Sequence, residues 1–276
     1  MNKNITALAC IACLGVPLCA EYQGVNGGVV AVDLPVGSEY AEFNGQRQLV
    51  VDGIAIIGIP YEQEPGEYSV RVHFANNLYS EIPLLVESKK YPEQHINVDQ
   101  KYVTPPQETL DRISREAELM RTAYARRSPQ SDGLFPLLIP VSGQVTGVFG
   151  SRRFFNGEPR NPHSGIDYAA DTGTPILSPA PGTVALTRDM YFNGKTVVID
   201  HGSGFMSVMC HLDEFSVEED QEIEKGDTVG TVGATGRVTG PHLHWTISLQ
   251  GTKIDPAVFI EVTNEISARK TSSDNN

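Results

Sequence analysis

The sequence predicts a mainly β protein, in which a small sandwich-like domain is joined by one helix to a larger β-rich domain. Short β-rich runs alternate with turns over residues 21–103, and helical spacing of apolar residues appears only within 104–133. The strand-and-turn pattern then resumes over 134–262. A length of 276 residues is enough for two such domains. The ends are predicted to be a signal peptide, residues 1–20, and a polar tail, residues 263–276.

The first twenty residues have the pattern of a secretory signal peptide. Lys3 lies in a short polar start, and an apolar run follows from Ile5 to Leu18. A retained membrane anchor is the alternative, because Leu18 is larger than the residue usual at that place in a cleavage site. Three of the four cysteines lie in this segment, so a mature chain keeps only Cys210 and forms no intramolecular disulfide. We therefore expect an exported protein.

The formal net charge of −13 excludes one class of function. Such a chain repels nucleic-acid phosphates and anionic lipid surfaces on average. We therefore expect no nucleic-acid partner.

The first domain contains four β-rich runs at the spacing typical of a small antiparallel sandwich. The runs are Gly28–Leu34, Gln48–Ile59, Tyr68–Phe74 and Ile82–Val86. His73 and His95 lie in this domain without a companion ligand, so both are interpreted as structural or surface residues.

The joining helix is predicted to begin at a capping box. Thr104-Pro-Pro-Gln107 combines the capping pattern with proline at the first helical position. The apolar residues that follow are spaced three and four apart, so one stripe should pack against a domain. The stripe consists of Leu110, Ile113, Ala117, Met120 and Tyr124.

The second domain is predicted to consist of strands and turns without a further helix. The predicted strands are Thr183–Leu186, Lys195–His201, Phe205–His211, Thr228–Val232 and His242–Leu249. In the last strand, the odd positions are all apolar, whereas the even positions include His242 and His244. One face of this strand should therefore pack on a core, and the other should present both imidazoles. A metal or reacting group is one explanation, and plain hydrogen-bonded histidines are the other.

Two further segments contain candidate ligands. His163 and Asp167 are four residues apart, a spacing that lets both side chains converge in a strand or in a helix. Strand alternation places His211 on one face together with Met209, and Cys210 on the opposite face. A cysteine protease built on Cys210 and His211 is therefore disfavoured, because neighbouring strand residues point apart.

The histidines and the aspartate fit one zinc ion per chain. Two imidazoles and a carboxylate would leave the fourth position open for water, as in catalytic zinc sites. A thiolate site is excluded by the single mature cysteine. The spacing alone does not decide whether His242 or His244 binds the metal.

Several short motifs of the second half occur in a characteristic order. They are Val148-Phe-Gly-Ser-Arg152, His163-Ser-Gly-Ile-Asp167, Gly173-Thr-Pro175, Ala180-Pro-Gly-Thr-Val184, Val197-Val-Ile-Asp-His-Gly202, Lys225-Gly-Asp227, Gly233-Ala-Thr-Gly-Arg237 and Gly240-Pro-His-Leu-His244. With these motifs, residues from about 140 to 259 resemble the M23 family of zinc metallopeptidases, the lysostaphin-like or LytM-type peptidoglycan endopeptidases.

The resemblance implies a role for each candidate residue. It makes His163, Asp167 and His244 the zinc ligands, and His211 and His242 the catalytic imidazoles. The chain departs from the family at one position, because Met209 stands where the family usually has a tyrosine two residues before the catalytic histidine. The substrate contact at that position is therefore in question.

The function implied by the resemblance is an exported zinc metalloendopeptidase that cuts peptide cross-links of bacterial peptidoglycan with a zinc-activated water. Its partners would be peptidoglycan peptide stems, in the periplasm or cell envelope of a Gram-negative bacterium. The alternative is a catalytically silent wall-binding module that activates an amidase. The first domain could act as a lid over the zinc cleft, as a docking module for wall peptides, or as a contact site for a regulator in the membrane or periplasm. It could also be a passive spacer.

Overall fold

A computed structural model of the chain describes residues 22–274, and the predicted signal peptide lies outside them. Strands are far more common than helices in the described chain and form sheets both before and after a central helical segment. The predicted mainly β class, with an N-terminal β domain and a C-terminal β-rich domain, is confirmed. Within the described range, no helix is both long and apolar enough to span a bilayer.

The first domain consists of two sheets packed on each other. The strands are β1 (Tyr22–Val25), β2 (Val29–Asp33), β3 (Ser38–Phe43), β4 (Gln46–Arg47), β5 (Leu49–Val51), β6 (Ile54–Gly58), β7 (Gly66–Phe74) and β8 (Tyr79–Glu87). One sheet has the strand order β1-β8-β7-β3-β4 and the other has the order β2-β6-β5. Val32, Ile57 and Val70 are fully buried in the core between the sheets. Neighbouring strands are antiparallel except β1 and β8, which are parallel.

The predicted β-rich run from Gln48 to Ile59 contains a hairpin formed by β5 and β6. Asp52 and Gly53 connect β5 to β6 with φ values of 51° and 77°. Positive φ at both central residues is the geometry of a two-residue hairpin turn that favours Asp-Gly. The turn signal was therefore present inside the apolar run.

The joining segment contains two helices, α1 (Gln100–Val103) and α2 (Leu110–Tyr124). The predicted capping box is wrong, since the backbone N–H of Thr104 bonds the carbonyl of Gln100 and closes α1 instead. The two prolines after Thr104 explain the break, because a residue before proline is disfavoured in the helical region. A 3₁₀ turn then leads into α2.

One stripe of α2 packs on the second domain, as predicted, but its position is shifted. Met120, Ala123 and Tyr124 contact the apolar cluster that contains Val198. Leu110, predicted to belong to the stripe, is exposed.

The second domain is built on a ten-stranded antiparallel sheet. Its strands are β10 (Gln144–Gly147), β13 (Ile166–Ala169), β14 (Pro175–Leu177), β15 (Gly182–Met190), β16 (Gly194–Gly202), β17 (Phe205–Phe215), β18 (Glu222–Ile223), β19 (Thr228–Val232), β20 (His242–Leu249) and β21 (Thr252–Ile254). The central path of the sheet is β10-β13-β20-β17-β16-β15-β18; β14 pairs with β19, β19 also pairs with β17, and β21 pairs with β20. Strand β20 has the predicted bounds, and its odd positions Leu243, Trp245, Ile247 and Leu249 are buried in the core.

A separate three-stranded sheet joins the two halves of the chain. In it, β11 (Arg152–Phe155) lies between β12 (Glu158–Pro159) and β9 (Glu93–Ile96). Strands β9 and β11 pair in parallel. A strand that precedes the helical segment is therefore part of the second half of the structure.

The expectation of no helix after residue 134 is wrong. Helix α3 (Pro256–Asp274) closes the described chain and includes most of the predicted polar tail. A carboxylate oxygen of Asp255 accepts a hydrogen bond from the N–H of Ala257 at the start of this helix. Phe259 and Ile266 are buried, so α3 packs on the domain core.

Candidate metal centre

The pairing of two strands brings the aspartate to one of the histidines. Asp167 on β13 and His244 on β20 are direct cross-strand partners. Partners in an antiparallel pair lie on the same face of a sheet, with Cβ atoms close together. His163 lies just before β13, and its chain position is fixed by backbone hydrogen bonds with Gly150 and Ser151.

The three side chains meet at one point. The Nε2 atom of His163 lies 2.9 Å from Oδ1 of Asp167 and 2.9 Å from Nδ1 of His244. Nδ1 of His244 lies 2.7 Å from the same carboxylate oxygen. All three residues are buried, and their candidate ligand atoms lie within 4.8 Å of one another. One metal ion could therefore contact all three.

Hydrogen bonds on the outer side of the rings fit a metal at this point. Nδ1 of His163 donates to the carbonyl of Val148, 2.9 Å away. A carbonyl only accepts, so a neutral His163 keeps its Nε2 lone pair for the cluster. That lone pair faces a carboxylate oxygen, and two acceptors at this distance require a cation or a proton between them. Nε2 of His244 is likewise held, by Oγ1 of Thr246 at 2.9 Å, in the way that metal-binding histidines are usually oriented.

Burial and hydrogen bonding act in opposite directions on Asp167. Burial alone would raise the pKa of this carboxyl group, but hydrogen bonds to His163 and His244 hold the pKa well below its usual value. The pKa of His244 is lowered to about 4, chiefly by burial. At neutral pH, Asp167 is therefore ionised and His244 is neutral, which are the forms that bind metals.

Two further histidines lie beside the cluster. Nδ1 of His242 donates to the carbonyl of Gly240, and Nδ1 of His211 donates to the carbonyl of Thr235, both over 2.9 Å. Each neutral ring therefore keeps a lone pair on Nε2. Nε2 of His242 lies 3.9 Å from Oδ1 of Asp167, and the centres of the His211 and His242 rings are 4.9 Å apart.

His211 reaches this cluster because its strand is distorted. Strand β17 has one extra residue relative to β16 between Met209 and Leu212, and the φ of His211 is 68°. Such a conformation is uncommon for a residue other than glycine and costs about 1–3 kcal/mol. The prediction that Met209 and His211 share a face is wrong, since Met209 is in the core opposite Trp245. The side chain that stands in place of the family tyrosine is therefore absent from the cleft.

The same distortion removes the argument that Cys210 and His211 point apart. Burial excludes the cysteine-protease hypothesis instead. Cys210 is 2% exposed, and burial raises the pKa of its thiol to about 12. A reactive thiolate is therefore not available at neutral pH.

The cluster of His163, Asp167 and His244 opens into a cleft of about 860 Å³. His211, His242 and His244 line it, and Gln94 and Ile96 of β9 form part of its wall. The structure thus brings together all five residues singled out in the sequence.

Residues not predicted from the sequence complete the centre. Thr246 holds His244, and an Nη atom of Arg153 lies 3.5 Å from Oδ2 of Asp167. Thr246 had a signal, since it follows the two histidines on the same alternating face. Arg153 had none, because its approach to Asp167 depends on how β11 is placed.

Comparison with known proteins matches this site to one family. The profile of peptidase family M23 matches residues 161–256, a range that contains all five histidine and aspartate positions. The crystal structure of a putative M23 peptidase from Pseudomonas aeruginosa is 40% identical in sequence, with a TM-score of 0.70. The match covers 86% of this chain and 94% of that one.

Curated relatives match over a shorter length. The peptidoglycan DD-endopeptidase ShyA of Vibrio cholerae is 39% identical over 94 residues, which are 34% of this chain and 22% of that protein. The DD-carboxypeptidase/endopeptidase Mpg of Neisseria meningitidis serogroup B is 38% identical over 104 residues, 38% of this chain and 24% of that protein. The matched segment is thus less than a quarter of either relative. The match along nearly the whole Pseudomonas protein, with the ligand cluster inside the family profile, shows that the chain belongs to the M23 family of peptidases.

Proposed function

We propose that this chain is an exported zinc metalloendopeptidase that hydrolyses peptide cross-links of bacterial peptidoglycan. The observation that carries the proposal is the lone pair of His163 facing Asp167 and His244 at hydrogen-bond distance in a buried cluster. Relatives over this segment are named peptidoglycan DD-endopeptidases, which supports the substrate class.

His163, Asp167 and His244 would hold the zinc ion. Two neutral imidazoles and one carboxylate have a total charge of −1, so a divalent ion leaves the centre with net positive charge. When bound, zinc supplies a Lewis acid that polarises the scissile carbonyl and lowers the pKa of a water molecule. Nitrogen and oxygen donors of this kind, with one position left for water, are typical of catalytic zinc sites.

His211 and His242 would perform the proton transfers. Each has its Nδ1 proton fixed on a backbone carbonyl, so Nε2 is the atom that accepts a proton from the attacking water. Burial, followed by the neighbouring imidazoles of His244 and His242, lowers the pKa of His211 well below its usual value. His211 therefore starts the reaction as a neutral base. Once protonated, either ring can donate to the leaving amine or to the carbonyl oxygen as it gains charge.

Export to the periplasm or cell envelope completes the proposal. The supporting pattern is the signal-like sequence of residues 1–20, together with a net charge that disfavours nucleic-acid partners. Peptidoglycan peptide stems are the proposed partners, in a Gram-negative bacterium.

Zinc content and cleavage, measured on the same preparations, test the proposal. The purified chain should bind one zinc ion and cut cross-linked stem peptides at an amide bond. His211→Ala should keep the zinc and lose at least about 100-fold in cleavage rate, as expected for loss of a general base. His163→Ala should lose the zinc. His95→Ala is the matched control, because this histidine is exposed and lies outside the centre.

A silent binding module is the rival outcome. In that case the zinc-loaded chain would leave every cross-linked peptide intact and would raise the rate of a wall amidase. The presence of all five site residues in one cluster argues against this alternative.

A further inference from the structure

Three arginines line the same cleft as the histidines. They are Arg153, Arg160 and Arg237. Among the described residues that line the cleft, Asp167 is the only carboxylate, and it belongs to the metal cluster. The cleft is therefore locally cationic in a chain whose net charge is −13.

Arg237 is held in place without an acceptor for its N–H groups. Its guanidinium carbon lies 4.5 Å from the ring centre of Phe155 and 4.7 Å from that of Phe192. Contacts of this kind fix the plane of a guanidinium group but use none of its hydrogen-bond donors. Within residues 22–274, the guanidinium of Arg237 has neither a hydrogen bond nor an ion pair.

The other two arginines are already partly satisfied. Arg153 contacts Asp167 and donates to Oε1 of Gln94 at 3.3 Å. Arg160 donates to Glu158 at 2.7 Å and to the carbonyl of Val103 at 2.9 Å. These contacts hold the positive charges of Arg153 and Arg160 near Arg237, and they provide no negative charge to the Arg237 guanidinium itself.

The cluster is unfavourable without an anion. Burial lowers the pKa of Arg237 to about 10, and repulsion from Arg153 and Arg160 adds to the effect. A half-buried cation with unused donors and two cationic neighbours costs folding free energy. A bound carboxylate would satisfy the donors and the charge together.

We propose that Arg237, supported by Arg153 and Arg160, forms a subsite for a free carboxylate group of the substrate peptide. This inference rests on the proposed peptidase function and narrows its substrate class. The substrate would carry a carboxylate on a residue that flanks the cleaved amide bond, and an amidated peptide or a bridge of glycines alone would bind more weakly. The planar fork of arginine suits a carboxylate because it donates two parallel hydrogen bonds.

Binding of a matched peptide pair tests the subsite separately from catalysis. The pair would be two synthetic cross-linked stem peptides that differ only at the residues flanking the bond, with carboxylates in one and carboxamides in the other. Calorimetric titration would use the zinc-loaded full chain with His211→Ala, so that the bond is not cut. The carboxylate peptide should bind about 10- to 100-fold more tightly, the range expected for a charge-assisted bidentate contact.

Variants assign this preference to the arginine. Arg237→Gln should bring the ratio of the two dissociation constants close to one. Arg152→Gln is the matched control, because Arg152 precedes Arg153 on β11 but is exposed and lies outside the cleft lining; it should keep the ratio. If Arg237→Gln does not fold or loses zinc, Arg160→Gln decides, and the ratio should fall there too.

The outcomes for the subsite and for the peptidase activity are distinct. Equal binding of the two peptides, or a preference that survives both Arg237→Gln and Arg160→Gln, would overturn the subsite even if the native chain cuts both. An arginine-dependent preference supports the subsite, and failure of the native chain to cut either peptide would then overturn the peptidase function alone.

Discussion

Gly147 is the position at which a single methyl group should disable the proposed metal centre. Gly147 lies opposite Asp167 in the pair formed by β10 and β13. A methyl group added there would lie 2.2 Å from Oδ2 of Asp167 and 3.0 Å from Cε1 of His163. The backbone of Gly147 is not left-handed, so the effect of Gly147→Ala would come from this contact and not from backbone strain.

The size of the effect follows from the displacement. A carbon and an oxygen normally approach to no less than about 3.2 Å, so Oδ2 of Asp167 must move by about 1 Å. The added methyl group would also lie 2.9 Å from Cγ of Asp167, so the whole carboxylate must move, including the Oδ1 atom that faces the two histidines. Zinc–oxygen bonds are about 2.0–2.2 Å long and tolerate deviations of about 0.2 Å. Removing an outer partner of a ligand usually costs about 10- to 100-fold in metal affinity, so displacing the ligand itself should cost at least about 100-fold.

A chelator competition assay measures this loss. The zinc dissociation constants of the native chain and of Gly147→Ala would be compared, with circular dichroism to confirm that both are folded. Gly240→Ala is the control, because a methyl group there has open space and the residue also lines the cleft; it should keep native affinity. Zinc affinity of Gly147→Ala within about threefold of the native value would show that the ligands are not placed as described.

Substitutions at three other positions test one contact of the proposed metal centre and two buried contacts elsewhere in the structure. Thr246→Val removes the partner of His244 Nε2 and should weaken zinc binding about 10- to 100-fold; an unchanged dissociation constant in the chelator assay would contradict this. His201 is buried, and burial lowers its pKa to about 4. Between about pH 6.5 and pH 4 the unfolded chain therefore binds a proton at His201 more readily than the folded chain does. The stabilising contribution of the neutral ring is complete above about pH 6.5 and is lost as the pH falls toward 4. In urea unfolding, the stability lost between pH 7 and pH 5 should be about 2 kcal/mol smaller for His201→Asn than for the native chain, and equal losses would refute the assignment. Tyr91 donates to the carbonyl of Asn26 and packs beside Phe149, so Tyr91→Ala should lose about 2–4 kcal/mol and Tyr91→Phe only about 1 kcal/mol; equal losses would mean that the ring contributes nothing.

The strand that carries two of the histidines could be predicted to the residue. Strict alternation over His242–Leu249 is a local signal, and it reports directly which side chains share a face. The approach of Asp167 to His244 depends instead on the register of β13 against β20, which no local pattern specifies. The five candidate residues could thus be chosen from their motifs, but their distances could not.

The position of His211 shows where alternation fails. A bulge adds one residue to a strand and bends it, so the side chains after the bulge no longer follow the alternation of those before it. Nothing in Phe205–His211 marks the change. Helix α3 is a different case. Asp255-Pro256 is an ordinary helix start, but the continuous apolar run Ala257–Ile260 that follows it does not by itself distinguish a helix from a buried strand.

The first domain raises a question that the cleft wall helps to answer. Strand β9 pairs with β11 across 59 residues of sequence, counted from Gln94 to Arg153, and residues of β9 line the cleft. A lid would uncover the histidines when it is displaced, whereas loss of β9 would remove a wall of the cleft and the partner of Arg153. We therefore expect a chain that lacks residues 22–96, and with them β9, to bind the substrate more weakly, whereas a passive spacer could be removed without a change in binding. The pairing of β9 with β11 favours a fixed wall of the cleft over a movable lid. A strand that is hydrogen-bonded along its length to β11 cannot leave without exposing the backbone N–H and C=O groups of both strands.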